Sequence, residues 1–153
     1  MAVEIERKFL VKGDGWRQGR GVRISQGYLN RDQARTVRVR VAGEEAFLTV
    51  KGLTTGATRA EFEYPIPAAD GKELLKLCEP STVEKTRRRI HEGGMVWEVD
   101  EFLGGNAGLV VAEVELQSEE QRFTKPAWFG EEVTQDPRYF NLNRPGCVAM
   151  VPG

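Results

Sequence analysis

The sequence holds one histidine and two cysteines in 153 residues. Cys78 and Cys147 stand far apart and in no metal-ligand spacing, which excludes a disulfide mini-protein and reads as two free thiols in a reducing cytoplasm. His91 sits beside a Gly-Gly turn, and nothing near it in the sequence makes it a catalytic base. No apolar run approaches the roughly 20 residues needed to cross a bilayer; Leu109-Val110-Val111-Ala112 is about as long as they get. The amino end, Met1-Ala2-Val3-Glu4-Ile5-Glu6, is charged where a signal peptide needs an apolar core. A basic excess is missing too. Lys and Arg number 22 against 23 Asp and Glu, for a net charge of -1, and a nucleic-acid footprint would be positive. With 40% hydrophobic and 29% charged residues, the chain is neither disordered nor collagen-like. There is no repeat, low-complexity stretch or linker. The expectation is one soluble cytoplasmic domain over residues 1–153.

What is present is period-two alternation, many times over. Val3, Ile5 and Phe9 interleave with Glu4, Glu6 and Lys8; Val37, Val39 and Val41 with Arg38 and Arg40. Leu48 and Val50 flank Thr49, with Lys51 next on the same parity. Phe62 and Tyr64 interleave with Glu61 and Glu63. Lys85, Arg87 and Arg89 share one face after Val83. Trp97 and Val99 alternate with Glu98 and Asp100, and Val114 and Leu116 with Glu113 and Glu115. Such patterns read as half-buried strands separated by Gly-rich turns. Gln26-Gly27-Tyr28-Leu29 adds one more, weakened by Gly27. Helical signals are fewer. Asp70 is placed to cap a short helix that Pro80 stops, Ser118-Glu119-Glu120-Gln121 has capping-box spacing, and Asp136-Pro137 looks like an N-cap with proline at the first helical position. The sum is an α+β domain of about eight antiparallel strands and two or three short helices.

The polar parity is the informative one, because on individual strands it is charged and nearly single-signed. Residues i and i+2 of a strand lie about 7 Å apart on one face. Like charges at that distance repel by about 0.6 kcal/mol in water and more at lower dielectric. Four acidic doublets and two basic sets therefore suggest that charge itself is the binding equipment. Converging carboxylates call for a hard cation such as Mg²⁺ or Mn²⁺. Converging guanidinium groups call for a polyanion, whose oxygens they match bidentately. Both together suit a metal-chelated triphosphate. Two architectures accommodate the pattern: a closed barrel with the charged face inward and helices covering the apolar outside, or an open sheet whose charges pair across strands.

At Glu4-Ile5-Glu6-Arg7-Lys8 the chain resembles the Glu-x-Glu-x-Lys signature of the CYTH domain, the triphosphate tunnel metalloenzyme family. Thr36-Val37-Arg38-Val39-Arg40, Leu48-Thr49-Val50-Lys51, Glu61-Phe62-Glu63, Glu84-Lys85-Thr86-Arg87, Glu98-Val99-Asp100 and Ala112-Glu113-Val114-Glu115 follow in that family's order. Trp128-Phe129-Gly130-Glu131-Glu132-Val133-Thr134 and Arg138-Tyr139-Phe140-Asn141 extend the likeness to nearly the whole chain. The resemblance implies an eight-stranded antiparallel β-barrel with a charged, hydrated interior and a few short outer helices. It implies substrate-binding roles for Lys8, Arg38, Arg40, Lys51, Lys85 and Arg87. Metal-binding roles fall to Glu4, Glu6, Glu61, Glu63, Asp100, Glu113 and Glu115, with Glu4, Glu6 and Lys85 closest to the chemistry.

Compact bacterial members commonly cleave inorganic tripolyphosphate, need Mg²⁺ or Mn²⁺ and often form homodimers, so a metal-dependent inorganic triphosphatase is the leading expectation. Nucleoside or thiamine triphosphate hydrolysis, adenylate cyclisation and a non-catalytic polyphosphate-binding module are the alternatives. Among individual residues, Arg7 falls on the apolar parity and is expected outside beside a helix carboxylate. Arg88 should face outward, Arg89 stand at a tunnel mouth and Glu98 pair with a neighbouring cation. Tyr28 is divided between reaching phosphate and packing, and Arg138 between plugging the tunnel and a solvated helix face. Trp16, Trp97, Trp128 and Phe129 read as outer packing.

Overall fold

A computed structural model describes residues 2–80 and 82–139; Cys147, Phe140 and Asn141 lie outside them. Nine strands follow the alternation: β1 (Val3–Val11), β2 (Val22–Asn30), β3 (Arg35–Ala42), β4 (Glu45–Gly52), β5 (Thr58–Ile66), β6 (Thr82–Glu92), β7 (Met95–Phe102), β8 (Val110–Glu115) and β9 (Phe129–Glu132). All pair antiparallel in the order β5-β4-β3-β2-β6-β7-β8-β1, and β5 returns to β1 to close an eight-stranded barrel. The closing seam is short, with Val3, Glu4 and Ile5 facing Ala60, Arg59 and Thr58. Further along the same strand, β9 lies beside Phe9 and Val11. Closure leaves the strands of the barrel with few free edges and turns one parity of each strand inward.

The outward parity is apolar, as the alternation requires, and it is covered in part, in two ways, while Phe62 and Tyr64 of β5 stay exposed. The single α-helix among the described residues, α1 (Ala68–Cys78), lies over β2, β3 and β4. It starts two residues before Asp70, after Pro67, so Asp70 sits in the first turn and not at the cap. The other side is covered by loops rather than the expected helices. Phe9, Trp16, Ile90, Trp97, Val99, Ala112, Val114, Leu116, Trp128 and Phe129 form one buried cluster there. Its rings pack directly, with Phe9 stacked on Phe129 at 4.3 Å between centroids and Trp97 edge-on to Phe129 at 4.5 Å. The capping-box stretch Ser118–Gln121 makes a turn and no helix: the Gln121 N–H donates to the Ser118 carbonyl, and Gln121 Oε1 accepts from the Gln117 N–H. Pro137–Tyr139 is a single 3-10 turn, with Asp136 Oδ1 accepting from the Arg138 N–H.

Gly27 and Gly71 mark where α1 touches the barrel. A Cβ on Gly27 would meet the Cys78 Cβ at 2.6 Å, and one on Gly71 would meet the Ala46 Cβ at 2.6 Å and Val41 Cγ2 at 3.0 Å. Gly71→Ala sets two effects against each other. Helix propensity favours alanine by about 1 kcal/mol, whereas forcing a methyl into a filled contact costs about 1–3 kcal/mol. The contact wins, so the variant is expected to unfold at lower urea concentration than the native chain with an unchanged slope.

Candidate active site

The inward parity converges on one enclosed tunnel. Its lining carries eight cations (Lys8, Arg38, Arg40, Lys51, Arg59, Lys85, Arg87 and Arg89) and eight carboxylates (Glu4, Glu6, Glu61, Glu63, Glu98, Asp100, Glu113 and Glu115), around a cavity of about 270 Å³. Every sequence-predicted site residue is among them. The open-sheet alternative fails on this point, because these side chains come from all round a closed barrel.

One part of the tunnel is dominated by cations. Asp100 lies between Lys85 and Arg87: Lys85 Nζ stands 2.7 Å from Oδ2, while Arg87 donates through Nε and Nη2 at 2.7 and 2.8 Å. Arg87 also reaches Glu98 and Glu113, both at 3.3 Å. Arg40 donates only to Gln26 Oε1, at 3.0 Å from both nitrogens, and has no carboxylate within ion-pair distance among the described residues. Burial, with Arg38 and Arg87 nearby, draws Arg40 down to about 9. Burial likewise draws Lys85 to about 7, assisted by Arg87 and Arg40 against the pull of Asp100. For Asp100 burial works the other way, but Lys85 and Arg87 outweigh it and hold the carboxyl near about 2. Asp100 is thus already occupied by two cations, whereas the resemblance implies a metal-binding role for it.

Acids dominate elsewhere. Lys51 Nζ bridges Glu4 at 3.0 Å and Glu61 at 3.2 Å, and Lys8 Nζ lies 3.7 Å from Glu113. Burial, followed by the charges of Glu113 and Glu4, pushes Glu6 well above the ordinary carboxylate range. Glu113 is held well below it, with Lys8 the leading cation overcoming burial. The charges of Glu6 and Glu113 thus oppose each other inside the tunnel. Glu63 is half exposed and pairs with Arg38 at 3.6 Å through a site that Thr49 also shares. Glu115 is raised by burial and by Glu4 and Glu98.

All-oxygen, mutually repelling donors fit a hard divalent cation, whose charge would offset the repulsion among them. Among the described residues no three acid, His or Cys side chains already converge as a ready cage, and Lys51 holds the space between Glu4 and Glu61.

The remaining single-residue expectations divide. Arg88 faces outward to Glu101 at 3.0 Å, and Arg89 and Glu98 pair at 3.2 Å in the tunnel lining. Arg7 lies outside, but its bidentate partner is Glu132 of β9 and no helix carboxylate; its guanidinium covers the Phe9 and Phe123 rings at 5.4 and 5.1 Å. Tyr28 lines the tunnel. Arg138 does not plug it: the side chain turns to Asp136 at 2.6 Å, and its neighbour Tyr139 lines the tunnel instead. Sequence reading missed Arg59, which donates to the Gly52 carbonyl at 3.0 Å and to Thr36 Oγ1 at 3.4 Å. Extending the β5 alternation two residues back from Glu61 would have found it. It also missed an apolar plug. Leu10, Val83, Phe102 and Val111 continue the inward parity past Lys85 and Asp100, and they pack with Val133 and Tyr139 to fill that part of the barrel. Lys85 Nζ stands 5.5 Å above the Phe102 ring.

A closed antiparallel barrel that turns equal numbers of acids and bases onto one internal cavity is a binding tunnel for a charged ligand. The chain belongs to the CYTH domain family, whose domain it matches over residues 2–143. It is 50% identical over 145 residues to an inorganic triphosphatase of Acetivibrio thermocellus, covering 94% of this chain and 93% of that one. It is 40% identical over 146 residues to an inorganic triphosphatase of Nitrosomonas europaea, covering 91% and 94%. A crystal structure of an inorganic triphosphatase superposes with a TM-score of 0.64 at 37% identity, covering 97% of this chain and 99% of that one.

Proposed function

We propose that this protein is a metal-dependent inorganic triphosphatase, cleaving tripolyphosphate to pyrophosphate and phosphate with Mg²⁺ or Mn²⁺. The observation that carries the reading is Arg40: a half-buried guanidinium, flanked by Arg38, Arg87 and Lys85, whose hydrogen-bond acceptor is a neutral amide. Such a group is incomplete without an anion. The likeness to inorganic triphosphatases over more than nine-tenths of the chain points to the same ligand.

In this reading Arg38, Arg40, Lys85 and Arg87 hold the phosphate oxygens, with Lys8 and Lys51 along the acidic part. Asp100 is the counter-ion that keeps Lys85 and Arg87 in place when the tunnel is free. Glu4, Glu6, Glu61 and Glu113, assisted by Glu63 and Glu115, would hold the cation. When bound, it neutralises phosphate charge and acidifies a bound water. Glu6, beside that cation, accepts the proton of the attacking water. A water oxygen bonds to the terminal phosphorus, the bridging P–O bond breaks, and the electron pair leaves on pyrophosphate. Lys85 donates to that departing oxygen. Positioning and charge stabilisation supply most of the rate, as phosphoryl transfer allows.

The test is a substrate panel of tripolyphosphate, ATP, thiamine triphosphate and pyrophosphate, each with Mg²⁺ or Mn²⁺, assayed for phosphate and cyclic AMP. Preferential phosphate release from tripolyphosphate is expected. Cyclic AMP from ATP, or tight binding without turnover, would contradict the reading.

Binding should also be linked to pH through Lys85. In the free protein this ammonium loses its proton as pH rises through about 7. A polyanion alongside favours the charged form, so the group titrates higher in the complex. Between those two values the complex holds more protons than the free protein; binding takes up a proton and weakens as pH rises. Calorimetry at pH above 7 in buffers of different ionisation enthalpy should show this uptake, and Lys85→Arg should remove the part due to Lys85.

A further inference from the structure

Tyr139 comes from the 3-10 turn at Pro137–Tyr139, whereas Phe102, the other ring of the plug, lies on β7. The side chain is fully buried, its ring packs in the apolar cluster with Val83, Phe102, Val111 and Val133, and it also lines the tunnel. Among the described residues its hydroxyl finds no hydrogen-bond partner. Burial, with the charges of Asp136 and Glu131 set against that of Arg138, pushes its ionisation up, so the group stays a donor at working pH. A buried, unpaired hydroxyl costs free energy that the chain itself does not recover. The tunnel is a wet space that it borders. Its neighbour Val111 stands opposite Asp100 in the β7–β8 ladder, at the level of the Lys85–Asp100–Arg87 cluster. Whatever completes the hydroxyl therefore belongs to the part of the ligand that those cations hold.

We propose that Tyr139 is a substrate-gauging residue: its hydroxyl donates to an oxygen of the phosphate at the plugged part of the tunnel, while its ring limits how far the phosphate chain extends. This deepens the proposed function and rests on it. A bare phosphate satisfies the hydroxyl, whereas a further phosphate unit or an organic substituent on that phosphorus meets an apolar wall. The substrate class that follows is a short linear polyphosphate with an unesterified end.

Tyr139→Phe separates the hydroxyl from the ring. Because the hydroxyl is unpaired in the free protein, its removal is expected to leave the melting temperature of the ligand-free chain unchanged or higher. Dissociation of metal-free tripolyphosphate, read by calorimetry, is expected to weaken about tenfold, the size of one hydrogen bond to a charged acceptor. With metal, KM should carry more of the loss than kcat. Tyr139→Ala, which shortens the wall, should raise kcat/KM for tetrapolyphosphate relative to tripolyphosphate. An unchanged dissociation constant in Tyr139→Phe overturns the contact. An unchanged chain-length preference in a folded Tyr139→Ala overturns the gauge. A native protein that binds tripolyphosphate without cleaving it overturns the hydrolase reading alone, since the metal-free titration still reports on the hydroxyl.

Discussion

An Asp100→Asn variant is expected to melt well below the native protein and to recover much of the difference when tripolyphosphate is added. Asp100 is 2% exposed and is the carboxylate on which Lys85 and Arg87 both close. The amide keeps the shape and removes the charge. Lys85 can respond by shedding its proton, because it already titrates near about 7. Arg87 cannot, since a guanidinium stays charged, and it keeps only the longer contacts to Glu98 and Glu113. Removing one partner of a buried pair typically costs at least about 3 kcal/mol, which is roughly 6–12 °C for a chain of this size. A polyanion in the tunnel would supply the missing negative charge, so its stabilising effect should be larger in the variant than in the native protein. Thermal melts with and without metal-free tripolyphosphate check both halves. A variant that melts like the native chain would mean that Asp100 does not balance these cations.

The second large effect runs opposite in activity and stability. Glu6→Gln is expected to reduce kcat by roughly 10²–10³-fold, the usual cost of removing one electrostatic element from a transition state. The same change should leave the fold as stable or more so. Burial, Glu113 and Glu4 all disfavour the Glu6 charge, and a neutral isostere relieves that repulsion. Function here works against stability, as is common for crowded active-site charges. Turnover and melting temperature measured on one preparation decide it, with Glu4→Gln as the companion variant. Near-native phosphate release from both would remove these carboxylates from the chemistry.

Much of this was legible in the sequence because the charged parity is strict. Glu4 and Glu6, Arg38 and Arg40, Lys85 and Arg87, and Glu113 and Glu115 each announce which face of their strand meets the tunnel, and period two then fixes the direction of every neighbour. Partner choice was less visible. That β2 pairs with β6, or that β1 is shared among β8, β5 and β9, depends on non-local register that no local pattern encodes. The plug escaped for a related reason. Val83, Phe102 and Val111 carry apolar side chains on the charged parity, and only the closed barrel shows that they meet. Arg7 was the reverse case, a charge on the apolar parity, made compatible by Glu132 and by two aromatic rings beneath its guanidinium. Asp70 and Ser118 showed good capping chemistry without becoming helix caps. The helix at 68–78 begins after Pro67 instead, and the loop around Ser118 is held by Glu119, which accepts from the Ala57 N–H and the Thr58 hydroxyl.

A crystal structure of this protein with tripolyphosphate and a divalent cation that does not support turnover would test the central claim most directly. The expected result is a linear phosphate chain inside the barrel, its oxygens at roughly 2.7–3.2 Å from the nitrogens of Arg38, Arg40, Lys85 and Arg87, with the cation among Glu4, Glu6, Glu61 and Glu113. Phosphate bound on the outer surface, with the tunnel cations still paired only to their own carboxylates, would contradict it.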